Sequence, residues 1–258
     1  MEEKHFVLVH GASHGAWCWY KVASILKSAG HRVSALDMAS CGVNPTPVRE
    51  IHSLSDYFQP LTEFLEALPP QEKVILVGHS YGGRGLAIAM EKFPHKISVA
   101  VFASAHMPGP HFKLSTYAEA YDRIRPTMDT KFEYADGSDN PPMILLFGPK
   151  ILSSKFYQLS PPEDLMLATM LLGPHPCLND PAMLDSTVAV TEEKFGSVRR
   201  ISIVCDQDLV IEEHFQRWVI QQNPVDEEFV IPGSDHMVMF SKPQELSSIL
   251  QEIAQKYE

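Results

Sequence analysis

The sequence predicts an α/β fold: a mostly parallel sheet flanked by helices, with a cap inserted between sheet strands. Short apolar runs alternate with helical patterns near both ends of the chain, which is typical of a parallel sheet with right-handed crossovers. The alternation stops between about Met107 and Ser186 and then resumes. We therefore expect one domain in the 258 residues, with a core at 1–106 and 187–258 and a cap at 107–186.

Four strands and three helices are predicted before the insertion. The strands are His5–His10, Arg32–Met38, Lys73–Gly78 and Lys96–Phe102, and the helices are Ala16–Ala29, Ser53–Leu68 and Tyr81–Phe93. The strand runs are short and almost continuously apolar, as expected of strands buried on both faces. Gly30 is a stop signal after the first helix, and Pro60 should kink the second.

The insertion contains one clear helical pattern, Leu159–Leu172, whose first turn accommodates Pro161 and Pro162. An insertion of this size is either a cap over the active site or a disordered segment, and its apolar content favours a packed cap. Two strands and two helices complete the prediction: Arg200–Cys205, Glu212–Gln222, Glu228–Ile231 and Lys242–Tyr257.

Composition argues against several functions. Twenty-one Lys and Arg against 32 Asp and Glu give a formal charge of −11, which disfavours a nucleic-acid partner. No stretch approaches the ~20 apolar residues of a membrane span, and the first residues do not resemble a signal peptide. We expect a soluble cytoplasmic protein with no membrane partner. Its widely spaced cysteines predict reduced, mostly buried thiols: Cys18, Cys41, Cys177 and Cys205.

The strongest chemical signal is the segment from Gly78 to Gly82, which reads Gly-His-Ser-Tyr-Gly. It matches G-x-S-x-G, the nucleophile elbow, in which a serine sits on a sharp turn between a strand and a helix. A predicted strand ends just before Ser80 and a predicted helix begins just after it. This context predicts that Ser80 is a nucleophile and that the fold is that of the α/β-hydrolases.

A serine hydroxyl needs a base and an acid, which follow it in that fold in the order acid, then histidine. His236 lies in a loop after the last predicted strand, whereas His214 lies in an exposed helical pattern, so we predict His236 as the base. Asp206 and Asp208 follow the strand before it. We predict Asp208 as the acid that orients the imidazole, with Asp206 bonding backbone groups in the turn. Asp235 is a weaker candidate.

The oxyanion hole should use two backbone N–H groups, one from the residue after the nucleophile and one from the loop after the first strand. Tyr81 and Ala12 are the predicted donors. His10 and His14 in that loop lack the glutamate of H-E-x-x-H, and the loop glycines do not form G-x-G-x-x-G. We therefore expect no metal and no cofactor.

The whole chain resembles the plant methylesterases of the salicylate, jasmonate and alkaloid-ester type, which are related to hydroxynitrile lyases of the α/β-hydrolase fold. The resemblance rests on Phe6–Ala12, His14–Tyr20, Val77–Ser80, Leu86–Pro94, Phe147–Pro149, Ser160–Leu165, Phe195–Val198 and Asp235–Met237. It implies Ser80, Asp208 and His236 as the triad and Ala12 and Tyr81 as oxyanion donors. It also implies a homodimer as an expectation of the family.

Two positions separate esterases from lyases in this family. The lyases carry threonine where this chain has Gly11, and a lysine that stabilises cyanide where this chain has Met237. Both residues, which we expect in the substrate site, favour an esterase.

The resemblance also bears on the substrate. The cap contains no tryptophan, so a flat salicylate-type acid would lack a stacking wall. The segments 37–45 and 160–164 look more like the jasmonate-esterase branch, and Tyr121 matches a residue that lines the pocket in relatives. His106 either bonds an oxygenated substrate or bonds nearby backbone. For Arg84 we expect a structural ion pair, although pairing with a substrate carboxylate is the alternative.

The sequence thus predicts a carboxylesterase that hydrolyses small methyl esters of plant hormones or specialised metabolites through a Ser-His-Asp acyl-enzyme mechanism. Jasmonate-like or terpenoid and alkaloid esters are favoured over salicylate. Two alternatives remain open at this point: a hydroxynitrile lyase, and a ligand-binding receptor on a hydrolase scaffold.

Overall fold

The computed structural model describes residues 3–134 and 143–257. Within them the strands are β1 (His5–Val9), β2 (Arg32–Leu36), β3 (Val74–His79), β4 (Ile97–Ala103), β5 (Lys131–Glu133), β6 (Ile144–Leu146), β7 (His175–Pro176), β8 (Arg199–Cys205) and β9 (Glu227–Ile231). Six of them form one sheet in the order β2-β1-β3-β4-β8-β9. All neighbours in it pair in parallel, which confirms the predicted fold class.

The helices cover both faces of this sheet or lie between β4 and β8. They are α1 (Tyr20–Ser28), α2 (Leu54–Tyr57), α3 (Gln59–Ala67), α4 (Gly82–Lys92), α5 (Leu114–Asp122), α6 (Pro149–Ile151), α7 (Pro162–Leu171), α8 (Pro181–Thr187), α9 (Glu213–Gln222), α10 (Val238–Ser241) and α11 (Pro243–Lys256). None of the described helices is both long and apolar enough to cross a membrane.

The predicted helix Ser53–Leu68 is two helices. It breaks at Phe58, and Pro60 occupies the first turn of α3. A proline is tolerated there because the first N–H groups of a helix have no intrahelical acceptor, so the expected kink is a helix start instead. Ser53 caps α2 by accepting a hydrogen bond from the N–H of Asp56.

The segment between β4 and β8 contains a feature that the sequence did not predict. Strands β5, β6 and β7 form a separate antiparallel sheet in that order. They are two or three residues long, too short for a period-two pattern to be recognised. The predicted helix Leu159–Leu172 is present as α7, with Pro162 at its first position.

The strand order explains where a ligand would bind. The chain moves from β1 outward to β2 and then returns to the other side of β1 at β3, so the connections diverge beyond the carboxyl ends of β1 and β3. Ligands in parallel α/β sheets bind at such a switch point. Both strands are fully buried, which gives the loops that follow them a rigid base.

Candidate active site

Ser80 lies on the sharp turn between β3 and α4. Its φ angle is +52°, in the left-handed region, which costs a residue with a side chain about 1–3 kcal/mol. The turn is held from both sides, because the Ser80 carbonyl accepts hydrogen bonds from the N–H of Gly83 at 3.1 Å and of His106 at 2.9 Å. A Cβ atom on Gly82 would lie 2.8 Å from the carbonyl oxygens of Val9 and His10. Glycine there lets α4 begin directly against the end of β1.

Three side chains that are distant in sequence meet above this turn. The Ser80 hydroxyl donates to Nε2 of His236 at 3.1 Å. Nδ1 of the same ring lies 2.7 Å from Oδ2 of Asp208, and since a carboxylate only accepts, Nδ1 carries the proton. Ser80 is 8% exposed, His236 1% and Asp208 2%. A nucleophile, a base and an orienting acid require this arrangement.

Asp208 is held on both carboxylate oxygens. Oδ1 accepts the N–H groups of Val210 at 2.7 Å and Ile211 at 2.9 Å, and Oδ2 also accepts the Ser104 hydroxyl at 2.5 Å. Ser104 was not predicted, although its position directly after β4, at the same sheet edge as Ser80, is a usable signal.

The two other aspartates have structural partners. Asp206 accepts the N–H of Gly233 at 2.7 Å, a backbone bond as predicted for this residue. Asp235 accepts the N–H of Leu159 at 2.9 Å and the Ser160 hydroxyl at 2.8 Å, so it ties the loop of His236 to the segment before α7. Burial raises the pKa of the Asp235 carboxyl.

The backbone N–H groups of Ala12 and Tyr81 have no hydrogen-bond acceptor among the described residues. Both residues line the cavity that contains Ser80. Tyr81 also precedes the first residue of α4, where the helix dipole favours negative charge. Two free donors beside a nucleophile can stabilise the oxyanion of a tetrahedral intermediate.

Buried histidines position the loops around these donors. Nδ1 of His14 donates to the Ala12 carbonyl at 2.8 Å, and Nε2 accepts the Tyr157 hydroxyl at 2.7 Å. Nε2 of His79 donates to the carbonyl of His236 at 2.7 Å. Tyr157 was not predicted, because its partner lies 143 positions away and no local pattern connects them.

The histidine pair near β1 is already bonded within the protein. Nε2 of His10 accepts the N–H of Met38, and its Nδ1 donates to the Gly11 carbonyl. Burial lowers the pKa of His10 to about 4 and that of His14 to about 3, so both rings are neutral near pH 7. In residues 3–134 and 143–257 no group of three metal-ligating side chains is assembled.

The cavity beside Ser80 encloses about 870 Å³, part of it open to solvent. Gly11, His106 and Tyr121, which were predicted to bind substrate, line it. Much of the remaining wall is apolar or aromatic, and it is formed by Ala118, Phe132, Leu145, Phe147, Phe156, Pro176 and Val210. Such a lining with a few convergent polar groups is typical of small-molecule sites.

Two predictions about this cavity need correction, and one of the two alternatives for His106 is excluded. Met237 is fully buried and does not belong to the described cavity wall, because its main chain turns into α10 directly after His236. Arg84 makes no ion pair with any described residue; it donates to uncharged acceptors instead. One of these is Nδ1 of His106, at 3.0 Å, so His106 bonds a side chain and not nearby backbone.

The sequence and the fold were compared with known proteins. Residues 6–249 match the alpha/beta hydrolase family. The chain is 55% identical to methyl jasmonate esterase 1 of Vitis vinifera over 257 residues, which are 99% of this chain and 98% of that protein. It is 47% identical to salicylic acid-binding protein 2 of Nicotiana tabacum, covering 99% of both. The crystal structure of tomato methylketone synthase I with 2-tridecanone superposes with a TM-score of 0.95, at 45% identity and full coverage of both chains.

Proposed function

The chain belongs to the plant methylesterases of the alpha/beta hydrolase family and is an enzyme that hydrolyses esters. From this premise we propose that it is a carboxylesterase that cleaves small methyl esters. In this proposal Ser80 is the nucleophile, His236 is the base and Asp208 is the orienting acid. The observation that carries this proposal is the pair of short contacts at His236, 3.1 Å to the Ser80 oxygen and 2.7 Å to the Asp208 oxygen.

The reaction has two halves. His236 takes the hydroxyl proton while Ser80 Oγ attacks the ester carbonyl, and the N–H groups of Ala12 and Tyr81 stabilise the oxyanion. The protonated imidazole then gives its proton to the departing methoxide, which leaves as methanol, and an acyl-enzyme remains. In the second half His236 removes a proton from water, the resulting hydroxide attacks the acyl carbon, and the returned proton releases Ser80 and the acid.

Gly11 supports an esterase over a hydroxynitrile lyase. A Cβ atom on this residue would lie 3.0 Å from both the Ser80 Cβ and His79 Nδ1, so the threonine that the related lyases carry would not fit without movement of the nucleophile. Met237 is apolar and fully buried and offers no charge for a cyanide leaving group.

The cavity wall supports jasmonate-like or terpenoid and alkaloid methyl esters over methyl salicylate. None of the described residues in the wall is tryptophan, and without an indole a flat aromatic acid loses a stacking surface. The aliphatic and aromatic side chains of the wall offer apolar contacts to a bulkier, non-planar acyl group. The Vitis relative named as a methyl jasmonate esterase is in line with this preference.

A panel of methyl esters tests the proposal: methyl jasmonate, methyl salicylate, methyl indole-3-acetate and a terpenoid-alkaloid methyl ester, with methanol release measured for each. Wild type should hydrolyse at least one of them, and Ser80→Ala should lose about 10⁶-fold in kcat. Ser202→Ala is the matched control, because Ser202 is also 8% exposed but lies in β8 outside the wall of this cavity.

Four results would overturn parts of the proposal. Ester turnover by Ser80→Ala at the wild-type rate would exclude Ser80 as nucleophile. Rapid cyanide release from mandelonitrile with no ester turnover would identify a lyase. Tight, saturable binding of a hormone ester without turnover would identify a receptor. A preference for methyl salicylate would contradict only the substrate assignment.

A further inference from the structure

Arg84 is a buried cation in the wall of the cavity, and no described carboxylate compensates its charge. It is 3% exposed, and its guanidinium carbon lies 4.3 Å from the ring centre of Tyr81. Asp122 is the only carboxylate among the described wall residues, and its Oδ1 is already paired with Nε of Arg125 at 2.8 Å. A buried charge is costly unless an opposite charge or several hydrogen bonds compensate it.

The hydrogen bonds of Arg84 leave part of its guanidinium unused. Nε donates to His106 Nδ1 at 3.0 Å, Nη1 donates to the Leu178 carbonyl at 3.2 Å, and both terminal nitrogens approach the single oxygen Oδ1 of Asn179, at 3.4 and 3.5 Å. A guanidinium has five N–H donors. The buried Tyr81 hydroxyl also interacts with this guanidinium, but no described residue lies within 3.5 Å as a second acceptor for the N–H groups of Nη2.

Two neighbouring histidines also carry unused polar atoms. Because His106 Nδ1 accepts from Arg84, the proton of this neutral ring sits on Nε2, and no described residue accepts it. Neither ring nitrogen of His175 has a partner among the residues that the structure describes, although the residue is 2% exposed and lines the cavity. Burial lowers the pKa of His175 to about 3, so this ring is neutral and has one N–H to donate.

Arg200 is a second arginine that keeps donors without an acceptor among the described residues, its Nε among them. Its terminal nitrogens donate to four main-chain carbonyls, those of Phe195, Gly196, Val198 and Pro224. Arg84 reaches one main-chain carbonyl, and it faces the cavity of the nucleophile. An unused donor alone therefore does not indicate a ligand site; the position of Arg84 in the wall of the Ser80 cavity, where Arg200 does not lie, is what points its free donors at a ligand.

We propose that Arg84, His106 and His175, here called the Arg84 cluster, bind an oxygen of the acyl group remote from the ester, and that the preferred group is an ionised carboxylate. The inference rests on the proposed function, since it assumes that the cavity holds an ester. Among the bulky, non-planar methyl esters proposed above, those whose acyl group carries a second carboxylate, the methyl half-esters of dicarboxylic acids, are then preferred. A ketone oxygen in the same place binds less tightly because it lacks charge, and an ammonium group is repelled by Arg84.

Matched esters test the proposal on the intact protein. Each set contains three esters with the same number of methylene groups between the methyl ester and a distal group, which is a carboxylate, a methyl ketone or an isopropyl group of similar shape. The sets differ from one another only in the number of methylene groups. The readout is the ratio of kcat/KM for the carboxylate and isopropyl esters, which does not depend on the fraction of folded protein. We expect wild type to prefer the carboxylate at one spacer length by about 10- to 100-fold, as charge-assisted hydrogen bonds allow.

The variants separate this subsite from the catalytic machinery. Arg84→Met should reduce the ratio to about one, Arg84→Lys should keep part of it, and His175→Phe should lower it less than Arg84→Met does. Arg200→Met is the control and should leave the ratio unchanged. A wild-type ratio near one at every spacer length, or a preference for the ketone over the carboxylate, would overturn the proposal while leaving the esterase function intact.

A binding experiment tests the Arg84 cluster even if the protein hydrolyses none of these esters. If wild type hydrolyses none of these esters, calorimetric titration of Ser80→Ala with the same half-esters still reports on the cluster. Binding at least 10-fold tighter than that of the isopropyl ester, lost in the Ser80→Ala, Arg84→Met double variant, would support the carboxylate subsite. Equal affinities would refute it.

Discussion

Replacing Asp208 with asparagine should invert the hydrogen bonding of the catalytic imidazole. The carboxylate accepts four hydrogen bonds: Oδ1 takes two backbone N–H groups, and Oδ2 takes His236 Nδ1 and the Ser104 hydroxyl. An amide has only one accepting oxygen. If that oxygen keeps the two backbone donors, the NH₂ group faces His236 and donates to Nδ1. The imidazole proton then moves to Nε2, which can no longer accept from Ser80.

The structure also sets the size of the effect. The productive tautomer of His236 has its proton on Nδ1. It requires the amide of Asp208→Asn to rotate by about half a turn so that its oxygen faces His236, and the NH₂ group then points at the N–H groups of Val210 and Ile211. Each buried N–H left without an acceptor costs about 1–3 kcal/mol, so the productive form lies about 2–6 kcal/mol higher. At 1.4 kcal/mol per factor of ten, kcat should fall by roughly 30- to 20,000-fold.

Asp206→Asn is the matched control for this measurement. Asp206 lies two positions earlier and accepts one backbone N–H, that of Gly233, which an amide oxygen can also accept. Its kcat should stay within about threefold of wild type, well below the loss expected at Asp208. The assay is the initial rate of methanol release at saturating ester, with circular dichroism to verify folding. Comparable losses in the two variants, or a loss below tenfold at Asp208, would refute the reasoning.

Three further outcomes are expected. Gly11→Thr should lower kcat/KM by about 10-fold, because its Cβ would lie 3.0 Å from the Ser80 Cβ and would displace the nucleophile by a few tenths of an ångström. Gly173→Ala, whose Cβ would meet one atom at 4.0 Å, should leave kcat/KM unchanged, and equal rates in the two variants would contradict the steric argument. Tyr157→Phe removes the hydrogen bond that holds His14 against the loop of Ala12, so kcat should fall about 3- to 10-fold with little change in KM. An unchanged kcat would show that packing alone holds this loop. Urea unfolding should show lower stability at pH 5 than at pH 7, because burial lowers the pKa of His10 to about 4 and that of His14 to about 3. The stability that these neutral rings contribute is present above pH 6.5 and falls by about 2 kcal/mol for each ring at pH 5. Equal stability at the two pH values would refute this prediction.

The order of strands and helices could be predicted from the sequence because each is a local property. A buried parallel strand is an uninterrupted apolar run, as at β3, and a helix shows its period within a few turns, as at α11. The nucleophile is equally local, since Ser80 and its flanking glycines lie within five consecutive residues. The short strands β5, β6 and β7 escaped prediction because two or three residues are too few to show a period.

The sequence limited the triad acid to a few aspartates after the late strands, but it did not show which of their side chains reaches His236. Asp206 and Asp208 differ by two positions, and the direction of each side chain depends on how the turn after β8 closes. Only the folded chain places Asp208 against His236 and Asp206 against Gly233. Met237 was expected in the substrate site because the related lyases carry their cyanide-stabilising lysine at this position, yet the chain turns into α10 there and buries the side chain.

The sequence alone was therefore sufficient to predict a hydrolase and to name its candidate triad. It contains the residue types, their local order and the chain order of serine, acid and histidine, and local backbone preferences place such residues at the ends of strands. Contacts between distant segments were decided only by the tertiary structure. His14 bonds Tyr157, and Arg84 has hydrogen bonds where an ion pair was expected. Which partner a buried charge or ring nitrogen finds depends on surfaces brought together from across the chain, and no local pattern records that choice.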